Sequence, residues 1–190
     1  MKILLVQIKG FENNSLENEI KTFFESINFE VKNKAFDLSE TDKIPEVLLK
    51  DSASIDYMIG VGLAGFFILS EANSNSKIVI NPWMSPSQKL SYIESVSPDL
   101  LFTLKNMELT TYDWVDAEMR TVGYGIFQPD ANSCDKDMFL KIYGRNMNGF
   151  ENFSLMKEEN LFEELEKSLK YFEHIASSNY WGHMPGGLLI

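Results

Sequence analysis

The chain has 190 residues, with 17 basic against 28 acidic side chains and a formal net charge of −11. That length suits one globular domain, and 44% hydrophobic with 13% aromatic residues supply enough apolar surface for a core, which argues against global disorder. The acidic balance argues against a nucleic-acid backbone or an anionic membrane surface as partner.

One cysteine, Cys134, excludes an intrachain disulfide. The apolar run in Met1-Lys2-Ile3-Leu4-Leu5-Val6 is too short for a signal-peptide core. The longest mostly apolar stretch, Tyr57 to Leu69, carries three glycines and falls short of the roughly 18 residues of a membrane span. The expectation is a soluble, cytoplasmic protein.

In chain order, Ile3 to Val6 reads as a strand buried on both faces. Asn14 and Glu17 suggest a helix start, with Asn14 as N-cap, and Leu16, Ile20, Phe23, Phe24 and Ile27 fall on one helical face. Phe29 to Phe36 is a second strand, and Pro45 opens a short helix. Ile55 to Ile59 is a third strand running into a glycine turn, followed by a helix over Phe66 to Ala72. Lys77 to Asn81 is a strand halted by Pro82. Ser87 to Arg120 is irregular, helical in pieces, and a candidate helical lid over residues 87–120. Thr121 to Phe127 is a strand, Asp135 to Tyr143 a helix and Phe150 to Leu155 a short strand. Leu161, Phe162, Leu165, Leu169 and Phe172 pattern a final helix, and the segment from Ala176 has no clear period. Strands alternating with helices imply a three-layer α/β fold, a mostly parallel sheet covered on both faces. The expected division is one domain over residues 1–175 and a tail over 176–190.

Gly60-Val61-Gly62-Leu63-Ala64-Gly65 is the most informative segment, and it admits two mechanisms. Taken literally it spells G-x-G-x-x-G, a turn that lets a pyrophosphate approach a helix N-terminus. That turn normally follows the first strand, with an acidic residue about 20 positions on. Here it follows the third strand, and the later segment Ile78-Val79-Ile80-Asn81-Pro82-Trp83 holds no acid. Alternatively it is a nucleophile elbow, a tight strand–turn–helix flanked by small residues, with Gly62 where the nucleophile belongs.

Lys9-Gly10-Phe11 at the first turn, Gly60 to Phe66 at the elbow and Val79-Ile80-Asn81-Pro82 on the next strand occur in a telling order. Gln128-Pro129-Asp130 then follows a late strand. In this the chain resembles the small single-domain bacterial esterases of the α/β-hydrolase superfamily, the YqiA and YcfP type, over residues 1–175. The resemblance implies an α/β-hydrolase-like fold. It puts the family's acid at Asp130, with Asp135 a rival, and its histidine near Lys157. It also shows replacements: Gly62 for the serine, Lys157 for the histidine and Lys9 for the first-turn histidine. Glycine has no side chain to attack a carbonyl. A charged lysine is a poor base near neutral pH, so covalent acyl transfer by the family mechanism should fail.

If the alignment holds, Lys9 and Lys157 flank a helix N-terminus at Leu63, and Lys9, Gly10, Phe11, Gly62, Leu63, Asp130 and Lys157 would form an anion site at the strand ends. Against this, Lys157 would simply pair with Asp130 or Asp135. Cys134 reads as a small filler or a relocated thiol nucleophile. His174 reads as an exposed helix residue and His183 as part of the tail. Two histidines and a distant cysteine make no recognisable metal set, and Glu158-Glu159 and Glu163-Glu164 are solvated helix charges. No cofactor or metal is expected.

Three functions compete. The first is a non-catalytic pseudo-esterase that binds a small anionic molecule or a protein, its oligomeric state left open. The second is an esterase-like hydrolase of small acyl esters that recruits Asp130, Cys134 or His183. The third is a nucleotide-dependent enzyme using the Gly60–Gly65 turn.

Overall fold

A computed structural model describes residues 1–52, 54–70, 76–108, 123–144, 151–156 and 160–182. Six strands form one all-parallel sheet: β1 (Lys2–Ile8), β2 (Glu30–Phe36), β3 (Tyr57–Val61), β4 (Ser76–Ile80), β5 (Gly123–Phe127) and β6 (Phe153–Leu155). Their order is β2-β1-β3-β4-β5-β6. The chain therefore steps from β1 outward to β2, then back past β1 and onward to β6. The helices are α1 (Asn14–Ser26), α2 (Ile44–Ser52), α3 (Leu63–Ser70), α4 (Pro86–Leu90), α5 (Pro98–Met107), α6 (Ser133–Tyr143) and α7 (Leu161–Gly182).

Strand alternation divides the core in two. Leu4, Val6, Met58 and Val79 point to one face and meet α2, α3 and α6 through Leu48, Phe67 and Phe139. Ile3, Leu5, Ile59 and Ile78 point to the other and meet α1 and α7 through Ile20, Phe24 and Leu165. Right-handed crossovers explain the sorting: α1 travels along the sheet in the direction opposite to α2, α3 and α6, so it covers the opposite face. α7 then joins α1 there, Phe23 and Phe162 stacking with ring centroids 5.3 Å apart. The expected three-layer architecture with a parallel sheet is what the chain adopts.

Local boundaries differ from the sequence pattern in instructive ways. Asn13, not Asn14, caps α1, its side chain accepting from the Leu16 N–H at 3.3 Å. Glu17 reaches back to the Asn13 N–H at 3.3 Å and is buried against Gln7, which fixes the cap one residue earlier. β3 runs to Val61 and α3 begins at Leu63, so the turn expected over six residues shrinks to Gly62 alone. Gly60 belongs to the strand because α3 packs on it: a Cβ there would lie 2.6 Å from Ile68 Cδ1 and 2.8 Å from the Gly65 nitrogen. α7 runs on to Gly182, across the boundary placed at 175.

The described part of the lid candidate is α4 and α5 joined by residues 91–97. Leu90 and Leu104 anchor it in the core beside α3. Residues 109–122 lie outside the described residues, as do the Lys157 and His183 positions.

Candidate functional site

The strand order reverses between β1 and β3, and open α/β sheets place ligand sites at the carboxyl ends of strands flanking such a switch. β1 ends there in the turn at Lys9-Gly10-Phe11 and β3 in Gly62. Gly62 adopts φ +56°, the left-handed region that glycine enters at no steric cost. Its N–H donates to the Ile80 carbonyl at 2.9 Å, and its carbonyl accepts from the Trp83 N–H at 3.0 Å. The turn is thereby tied to the end of β4.

That end is built by Asn81-Pro82-Trp83. Asn81, at φ +46°, clamps β4 to β5: its Nδ2 donates to Gln128 Oε1 at 2.8 Å, and the Gln128 N–H donates to its Oδ1 at 2.9 Å. The clamp delivers Trp83 over the turn. A Cβ placed on Gly62 would meet the indole Nε1 at 3.4 Å. Phe11 packs edge-on against the indole, with centroids 5.8 Å apart. Lys89 sets its ammonium over the indole at 4.9 Å from the centroid, a favourable cation–π placement.

Lys89 also forms an ion pair with Asp135, which is buried and accepts the Met84 N–H at 2.9 Å. Sequence order left Asp130 and Asp135 as rivals; Asp135 is the one held by this cluster, while Asp130 is exposed. Asn132 caps α6 by accepting the Asp135 N–H at 3.1 Å, so the carboxylate is carried on a fixed helix start. Between these groups lies a cavity of about 120 Å³ bordered by Asn81, Trp83, Lys89, Asp130 and Asp135. Among the described residues its lining includes no serine, threonine, cysteine or histidine.

The remaining candidates scatter. Lys9 is exposed, and its charge acts on the neighbouring Asp37. Gly10 is exposed at φ +83° and donates its N–H to Glu12 at 2.7 Å. Leu63 is buried in the core at the start of α3. Cys134 is exposed in the first turn of α6, on a separate cavity shared with Lys89 and Tyr92. His174 is exposed on α7, whose core residues pack on the opposite face of the sheet from α3. Lys157, half of the expected anion pair, lies outside the described residues. No group of three potential metal ligands occurs among the described residues, and no helix among them is long and apolar enough to cross a membrane.

No motif in the sequence marks Trp83 or Lys89. The available signal was a tryptophan directly after the Asn-Pro that ends β4, next to a turn with no side chain of its own.

A second and larger space opens beside this cluster, over the ends of β1 and β2. It is a groove of about 590 Å³ between the Phe11 turn, residues 38–42 and the segment from Ile93 to Thr103.

No family model, curated protein or solved structure matches the chain.

Proposed function

We propose that the chain is a non-catalytic, α/β-hydrolase-like pseudo-esterase that acts by binding. The observation that carries this reading is Gly62: a left-handed residue at the sharp turn between β3 and α3, with the Trp83 indole beside the space a nucleophile would enter. A nucleophile elbow exists to hold a reactive side chain in that conformation. Here the conformation is kept, the side chain is absent and an aromatic ring stands over the place. The strand order, with its switch between β1 and β3 and the elbow after β3, is compatible with an esterase ancestry.

Two further features support binding over chemistry. The charged pair nearest the turn, Lys89 and Asp135, is engaged with itself, with the indole and with a backbone N–H. The same indole stands where a pyrophosphate would have to approach Gly62, which weighs against the nucleotide reading. An acidic surface at net charge −11 favours encounter with basic partners over an anionic ligand.

The test is turnover. Purified chain should neither hydrolyse short p-nitrophenyl esters nor be labelled by a fluorophosphonate probe. Labelling or hydrolysis abolished by Cys134→Ala would replace this reading with the esterase one, the thiol acting from α6. A clear thermal stabilisation by NAD, NADP or ATP would instead favour the nucleotide reading.

A further inference from the structure

The groove over β1 and β2 differs in kind from the filled turn beside it. Its apolar part is supplied by Phe11, Leu38, Val96 and Leu100, and its charge by Asp42 and Asp99, with no lysine or arginine among the described lining residues. At about 590 Å³ it is within the range of spaces that hold ligands and side-chain anchors. Several carboxylates elsewhere have ion-pair partners: Asp51 pairs with Lys34, Asp135 with Lys89, Glu108 with Lys105 and Glu164 with Lys167, whereas Glu19 and Glu173 have none among the described residues. Asp42 and Asp99 have no ion-pair partner among the described residues.

Asp99 sits in the first turn of α5, where the helix dipole welcomes a negative charge. That accounts for its sign on one wall. It leaves unexplained the second unpaired carboxylate across the groove. Nearby Asp37 adjoins Leu38; the N–H and hydroxyl of Ser39 hold its carboxyl below the usual range, with a smaller contribution from the Lys9 charge. The wall also carries Ile93, a large apolar residue at 39% exposure.

We propose that this groove docks a basic segment of a partner protein, a lysine or arginine flanked by apolar residues. The unpaired carboxylates select the cation, and the apolar lining takes its neighbours. A space of about 590 Å³ with apolar residues on both walls is larger than a small amine would fill. This inference deepens the reading that the chain acts by binding and rests on it.

Fluorescence anisotropy on the full chain tests it, with a labelled amphipathic peptide of leucine and lysine as probe. The same peptide with glutamate for lysine should not bind. Asp42→Asn/Asp99→Asn should weaken the lysine peptide by about fivefold, the combined effect of two exposed ion pairs. Glu19→Gln/Glu173→Gln removes as much charge from exposed positions on α1 and α7 and should leave binding within about twofold. Equal weakening by both double variants would reduce the effect to general electrostatics and overturn the proposal. So would absence of binding, indifference to Asp42→Asn/Asp99→Asn, or displacement of the peptide by hexylammonium at matching concentration. Ester turnover distinguishes the two failures: it sinks the non-catalytic reading without touching the anisotropy, and lost anisotropy leaves that reading in place.

Discussion

Two neighbouring regions of the carboxyl edge treat charge in opposite ways. At the Gly62 turn a carboxylate and an ammonium are paired, the carboxylate buried and the ammonium laid against an indole. In the groove, centred on the neighbouring strand ends, carboxylates stand exposed beside an apolar lining, with no ion-pair partner among the described residues. The first arrangement is self-satisfied and leaves little for a ligand to contribute. The second leaves electrostatic and apolar free energy available to a partner of the right sign. On the proposed reading, the difference separates a site given over to packing from a surface available for recognition.

If the turn is packing, it should be intolerant of added or removed atoms. Gly60→Ala places a methyl group within 2.8 Å of α3 backbone atoms, which no side-chain rotation relieves. The helix must lift from β3, and we expect a loss of about 3 kcal/mol in a chemical denaturation experiment. A loss below about 1 kcal/mol would mean that α3 is not seated on β3 as closely as the geometry requires.

Asp135→Asn comes next. The amide oxygen can still accept the Met84 N–H, but Lys89, whose side chain is 27% exposed, loses its charged partner. The expected loss is about 2 kcal/mol, below the range for a fully buried pair because Lys89 keeps some water. An unchanged midpoint would show that the cluster is not what holds this edge together.

Much of the architecture was legible because it is written in local pattern. The apolar run Ile3 to Val6, the punctuation by Pro45 and Pro82 and the stripe of Leu161, Leu165 and Phe172 report burial directly, and each forms the expected element. The site was legible only at its glycine. Gly60 and Gly65 read as turn residues, yet they serve close packing, a property of the helix that arrives against them. Nothing local distinguishes Asp130 from Asp135; the choice is made by Lys89, distant in sequence. Trp83 shows the same limit, since its role depends on an empty position on another strand's turn.

The smallest expected effect is the sharpest contrast. Asp42→Asn repeats the chemistry of Asp135→Asn on the other side of the comparison, at an exposed residue with no ion-pair partner among the described residues. Stability should stay within about 0.5 kcal/mol of the parent chain. With a net charge of −11, removing one negative charge also relieves some self-repulsion, so the sign should tend toward stabilisation. A carboxylate from which the fold gains nothing is free to contribute to the proposed docking surface. Should Asp42→Asn instead cost as much as Asp135→Asn, the groove is held by its charges as the turn is, and the distinction between the two regions fails.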